Sequence, residues 1–207
     1  MSNAVRDIYG NTVEPAFCRV ADLVPAESAW ATIRMFGSDT MIAYSGDEAE
    51  HNRRTGFGIG ALLSAEHLEL LMSLPIGWPV PVRSLSYREQ RLVRRLPRGV
   101  VRVADSNVER LAVSPVKVEL AIIRAANWRS GLERAGRFAP FTARMMWLPR
   151  LPLDAHVLLR EASRYGIGVL TGSAERAEVV AAPPRFVRRR FTAAGWLFTE
   201  QVYAHLR

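Results

Sequence analysis

Apolar positions in this chain follow two periods, a helical one and a strand one, and both are sharpest beyond residue 60. Leu68, Leu71 and Met72 recur at helical spacing, with Leu74 closing the run before Pro75. Ser64 precedes them as a capping residue, and Glu66 lies where the positive end of a helix dipole favours a carboxylate. Residues 77–81 turn the chain, and a second helix is predicted over 87–96, stopping at Pro97. Its Arg88, Arg91 and Arg95 fall at i, i+3 and i+7 on one face, while Leu92, Val93 and Leu96 centre on another. Residues 100–104 and 108–113 then flank Asp105-Ser106-Asn107, the pattern of a β-hairpin.

Strand and helix alternate after that. In residues 116–123, Val116, Val118, Leu120 and Ile122 share one face, and Lys117, Glu119, Ala121 and Ile123 share the other. Residues 127–138 predict a helix with Trp128, Leu132 and Ala135 on its packed side and Arg129, Glu133, Arg134 and Arg137 on its polar side. A short strand over 144–148 ends at Pro149. Residues 155–164 predict another helix, closed by Gly166 as a left-handed cap, and Val169-Leu170 starts a further strand. The last helix, over 192–206 with Trp196, Val202 and Leu206, is expected to pack on the C-terminal domain. Before residue 60 the pattern is weaker. Residues 30–36 and 40–44 flank Gly37-Ser38-Asp39 as a hairpin, and the polar, Gly-rich residues 45–60 are expected to be a mobile loop or linker. Gly56-x-Gly58-x-Gly60 lies within that stretch without the βαβ surroundings of a dinucleotide fingerprint and is expected to act as a hinge.

Composition narrows the function classes. A hydrophobic fraction of 49% fits a packed core, and no run reaches the roughly 18–20 apolar residues of a membrane span. The first residues carry no apolar core of a secretory signal, and one cysteine, Cys18, gives no disulfide framework, so a cytoplasmic protein without membrane association is expected. Cys18 itself is expected to be buried or incidental. His51, His67, His156 and His205 are scattered, and no metal site is expected of them. Basic residues number 28 against 20 acidic ones, a net charge of +8, and Lys117 is the only lysine. That excess suits phosphate backbones. Arg188-Arg189-Arg190, after Pro183-Pro184, adds a second basic cluster that either grips phosphate or is simply solvated.

Helix, turn, helix and basic hairpin over roughly residues 62–113 resemble a winged helix-turn-helix. The resemblance implies that the 87–96 helix is the recognition helix and that the hairpin is the wing. The DNA-contacting residues expected are Arg88, Arg91, Arg94, Arg95, Arg102, Arg110, Arg188, Arg189 and Arg190. Downstream, Glu119-Leu120-Ala121, the Trp128-Arg129 helix and the strand after it resemble a restriction-endonuclease-like domain, with alanine where that family carries its lysine. In such a nuclease the glutamate and an aspartate from a neighbouring strand hold Mg²⁺, and the lysine two positions on orients or activates the water. With Ala121 in that place, no catalytic residue, metal or cofactor is expected. The nuclease alternative would rest on Glu119, Lys117 and Glu133 with Mg²⁺.

The fold class expected is α/β (α+β), a winged helix-turn-helix plus an endonuclease-like mixed-sheet domain. The divisions expected are 1–60, an N-terminal α/β segment with the linker; 61–114, the winged helix; and 115–207, the endonuclease-like part. This order resembles AbiEi-type antitoxin and repressor proteins of actinobacteria. It implies a non-enzymatic regulator binding double-stranded DNA, as a homodimer, with a toxin or other protein as a further partner. A protein–protein adaptor with incidental charge is the other alternative.

Overall fold

The computed structural model describes residues 20–207, so Cys18 lies outside the described residues. In chain order the elements are β1 (Ala29–Met35), β2 (Ser38–Gly46), α1 (Glu48–Phe57), α2 (Ala65–Ser73), β3 (Val80–Pro81), α3 (Tyr87–Val93), β4 (Val101–Ala104), β5 (Asn107–Arg110), β6 (Val116–Arg124), α4 (Trp128–Gly136), β7 (Ala143–Leu148), α5 (Ala155–Arg164), β8 (Gly168–Thr171), β9 (Glu178–Ala181) and α6 (Ala193–His205). They form two compact units that interleave along the chain rather than three consecutive segments. One holds Val118–Arg189, the described residues up to Ser45, and Leu206; the other holds Gly46–Lys117, Arg190–His205 and Arg207. The protein is mixed α and β, with a six-stranded sheet and a three-stranded one. Among the described residues no helix is long and apolar enough to cross a membrane.

The larger sheet runs β1-β2-β6-β7-β8-β9. β1 and β2 are antiparallel, and the two residues between them are Phe36 (φ 49°) and Gly37 (φ 76°). Two left-handed residues in succession match the twist of a tight hairpin. The turn is therefore Phe36-Gly37, not Gly37-Ser38-Asp39; Ser38 and Asp39 already pair with Met35 and Arg34. β6, β7 and β8 are mutually parallel, joined through α4 and α5, and β9 closes the far edge antiparallel. The sheet and α4 approach closely at Gly131, where a Cβ would meet the Met146 sulfur at 2.9 Å. Leu120, Ile122, Met145, Trp147 and Leu170 pack with Val20, Trp30 and Met41 in this unit's core. Gly166, at φ 62°, ends α5 in the left-handed conformation expected of it.

The second unit contains the largest departure from expectation. Residues 45–60 are not a mobile loop: α1 occupies most of them. Asp47 caps its N-terminus, accepting the Glu50 N–H at 2.9 Å, and Gly58 (φ 65°) ends it. Gly56 lies inside the helix, so the three glycines are not a hinge. The helix buries Glu50 and Arg54 instead of an apolar stripe, which is why hydrophobic periodicity passes over it. We expect Asp47→Ala to cost about 1 kcal/mol of stability, the usual effect of losing an N-cap, read as faster amide exchange along α1. An unchanged exchange pattern there would refute the capping role.

The rest of this unit follows the predicted order with shifted boundaries. Ser64 caps α2 through the His67 N–H. The 87–96 helix stops at Val93, and its start carries a capping box between Ser86 and Glu89. The small sheet is ordered β3-β5-β4, so a two-residue strand upstream of α3 flanks the hairpin that follows it. α6 belongs to this unit: its Trp196 shares a core cluster with Ile59, Leu62, Leu68, Leu71, Val100 and Ala112. Leu70, Leu74, Val93 and Val108 form the adjoining cluster under α3 and the hairpin.

Candidate nucleic-acid interface

α3 holds its place because Val93 is buried and Leu92 packs beside it, leaving the arginines outward. They do not share one open face. The Arg88 guanidinium donates to Glu66 on α2 at 2.8 Å. Glu66, Glu69 and Glu89 line the groove between α2 and α3 that Arg88 enters. Ser86 hydrogen bonds, first from its side chain and then from its backbone, hold the Glu89 carboxyl below the usual carboxylate range. An acidic groove is a poor place for a phosphate, so Arg88 leaves the expected contact set. The ion pair is exposed and contributes little, but it shows which way Arg88 is drawn.

Arg91, Arg94 and Arg95 are exposed, with no ion-pair partner among the described residues. Arg94 is the C-cap of α3 and Arg95 lies just beyond it, so only Arg91 of the three is within the helix. The cationic group therefore sits at the end of α3 rather than along one helical stripe. Two exposed aromatic residues that hydrophobic patterning did not single out belong to the same unit. Trp78 is 72% exposed and Tyr87, at the start of α3, is 76% exposed. Their signal was available as a Trp between Gly77 and Pro79 and as an aromatic residue at a helix start.

The hairpin turns through Asp105 (φ 48°) and Ser106 (φ 60°), both left-handed. Arg102 is paired across the hairpin with Glu109, which spends its charge locally. Arg110, on the same hairpin, is held inward. It donates to the Leu71 carbonyl at 2.6 Å and lies over the Trp196 ring at 5.3 Å. Burial lowers its pKa. It braces the helical core, an arrangement that draws it away from the phosphate role expected of it. In the downstream triplet, Arg188 is half-buried, donates to the Phe141 carbonyl at 3.4 Å and has its pKa lowered by burial. Arg189 and Arg190 are exposed, the first in the larger-sheet unit and the second in the helical unit.

The nuclease alternative rests on the Glu119 strand. Glu119 is partly buried in β6 and accepts the Ser45 hydroxyl from β2 at 3.3 Å. The residue that β2 brings to this carboxylate is thus a serine, whereas the metal chemistry asks for an acid. The acidic residue on β2, Asp39, is at the other end of the strand beside Arg34 at 3.6 Å. Ala121 is fully buried and is paired in register with Arg144 on β7. Lys117 is exposed. Glu133 is on α4 and accepts from Arg137 at 2.8 Å. Among the described residues no group of three or more His, Cys, Asp or Glu side chains could hold a metal ion. His51 bonds the Tyr203 hydroxyl at 3.1 Å.

No family model matches this chain, and no curated protein or solved structure matches it.

Proposed function

We propose that this protein is a DNA-binding transcriptional regulator, of repressor or antitoxin type, that meets double-stranded DNA through its helical unit. The observation that carries the reading is the unspent cationic group Arg91, Arg94 and Arg95 at the end of α3, next in sequence to a β3-β5-β4 sheet. A helix followed by a hairpin, with a short strand upstream of the helix pairing to that hairpin, is the winged-helix order, and it presents a helix and a wing to neighbouring stretches of duplex. The contact set is Arg91, Arg94 and Arg95, with Arg102 released from Glu109 to a phosphate. A net charge of +8 adds long-range attraction. In the larger-sheet unit, Ser45 beside Glu119 and a buried Ala121 support a non-catalytic role.

A titration of duplex DNA against salt tests this. About four phosphate contacts give a log–log slope near −3.6, so affinity should fall roughly a hundred-fold between about 50 and 200 mM salt. Binding that is absent at low salt rejects the reading in favour of an adaptor. Mg²⁺-dependent plasmid cleavage that disappears with Glu119→Gln rejects the non-catalytic assignment.

A further inference from the structure

The larger-sheet unit has a cavity that nucleic-acid binding does not use. It lies between α4 and α5 and has a volume of about 660 Å³, within the range that holds a small organic ligand. Trp128 and Leu132 of α4 line it together with Val157 of α5 and Ile167. The spacing explains the walls. Trp128, Leu132 and Gly136 are one stripe of α4 at i, i+4 and i+8; Val157, Glu161 and Tyr165 are the matching stripe at α5.

Arg144 enters this apolar space from the start of β7. Its Nη2 donates to the Tyr165 carbonyl at 2.5 Å, but its Nε is buried with no hydrogen-bond partner. It forms no ion pair among the described residues, and burial alone lowers its pKa. The guanidinium is thus partly buried with no carboxylate beside it, and an anion placed against it would gain a charge-assisted bond. The other charges on the walls are occupied or point to selectivity. Glu133 is bound by Arg137 at 2.8 Å. Arg129 lies over the Trp128 ring at 4.4 Å and 4.0 Å from Asp154. Glu161 on the α5 wall repels a second anionic group.

We propose that this cavity is a binding site for a small monocarboxylate with an aromatic or branched apolar body. The carboxylate pairs with the part of the Arg144 guanidinium that stays open to the cavity, and the body lies along Trp128, Leu132 and Val157. A charge-assisted bond from a fixed fork is the strongest polar anchor such a cavity offers, and the apolar walls supply the rest of the affinity.

Calorimetry on the full chain tests the site with 3-phenylpropionate, its neutral amide and phenylsuccinate. The expected result is a Kd near or below about 1 mM for 3-phenylpropionate and binding about ten-fold weaker for the amide. Phenylsuccinate should also bind more weakly than the monocarboxylate. Arg144→Gln should bring the carboxylate down to the level of the amide while leaving the amide unchanged. Gly136→Leu is the second variant: a Cβ there meets nothing within 4 Å, so the side chain enters the cavity without strain and should abolish both ligands at an unchanged melting temperature. The proposal is overturned if no probe binds at about 10 mM, if acid and amide bind alike, or if either variant binds as the parent does. None of these outcomes depends on whether the chain binds DNA.

Discussion

Arg54→Met is expected to destabilise the helical unit by about 3–5 kcal/mol, the cost of removing one partner from a buried ion pair. Arg54 is fully buried, and so is Glu200. The two are joined by a bidentate contact, both N–O distances being 2.7 Å. Arg54 also donates to Glu50 at 2.6 Å and to the Val113 carbonyl at 2.9 Å, and it lies over the Tyr203 ring at 5.3 Å. Glu200 in turn accepts the Leu62 N–H at 2.8 Å and the Trp196 indole N–H at 2.9 Å. Burial pushes the Arg54 pKa down, and the Glu200 and Glu50 carboxylates push it up by more. The guanidinium therefore stays charged at every ordinary pH. One side chain thus ties α1, α6 and the segments around residues 60 and 113 together. Without it Glu200 would be a buried carboxylate facing no cation. A loss of 3–5 kcal/mol is a large part of the roughly 5–15 kcal/mol that holds a domain folded. Urea unfolding read by circular dichroism, with amide exchange in α6, measures it. Glu200→Gln should cost less, because Arg54 keeps Glu50. Arg54→Met combined with Glu200→Leu should recover part of the loss, since no unpaired charge remains, although the Leu62 and Trp196 donors lose their acceptor. Equal stability of Arg54→Met and the parent would show that the network contributes nothing.

Arg91→Glu with Arg95→Glu is expected to remove DNA binding at about 100 mM salt, while leaving stability unchanged. Both side chains are exposed and without ion-pair partners among the described residues, so their replacement breaks no ion pair of the folded chain. Each phosphate contact contributes about 0.9 to the salt slope. Losing two contacts should flatten the slope by about 1.8, and the two new carboxylates repel the backbone beyond that. Arg110→Glu serves as the contrast. It should lower stability, because the guanidinium bonds the Leu71 carbonyl and covers the Trp196 ring. Arg88→Glu, whose parent side chain already faces Glu66, should change affinity far less than the double variant. A gel shift that survives the double reversal rejects the assigned contact set.

Most elements were legible because each solves its own burial problem. α5 falls on the predicted residues, with Gly166 as its left-handed end. α2 begins at the predicted cap, Ser64. The alternation in β6 marks a strand whose Leu120 and Ile122 enter the core and whose Glu119 does not. α1 was illegible because it is held by ions, and a buried Arg–Glu network has the composition of a solvated loop. The candidate site was half legible. Arginine at 91, 94 and 95 could be counted from the sequence, but the fates of Arg88, Arg102 and Arg110 depended on which neighbour each side chain reached.

The sequence by itself determined the local elements, the net positive charge and the absence of a lysine at position 121. Those follow from periodicity, capping and composition, all readable within a few residues. Only the tertiary structure decided that Arg54 meets Glu200 across 146 positions, that Glu119 meets Ser45 across 74, and that Arg144, the register partner of buried Ala121, lines a cavity. Such pairings join residues far apart in the chain, and the free energy of a buried charge depends on the partner it finds, not on the residues beside it in the sequence.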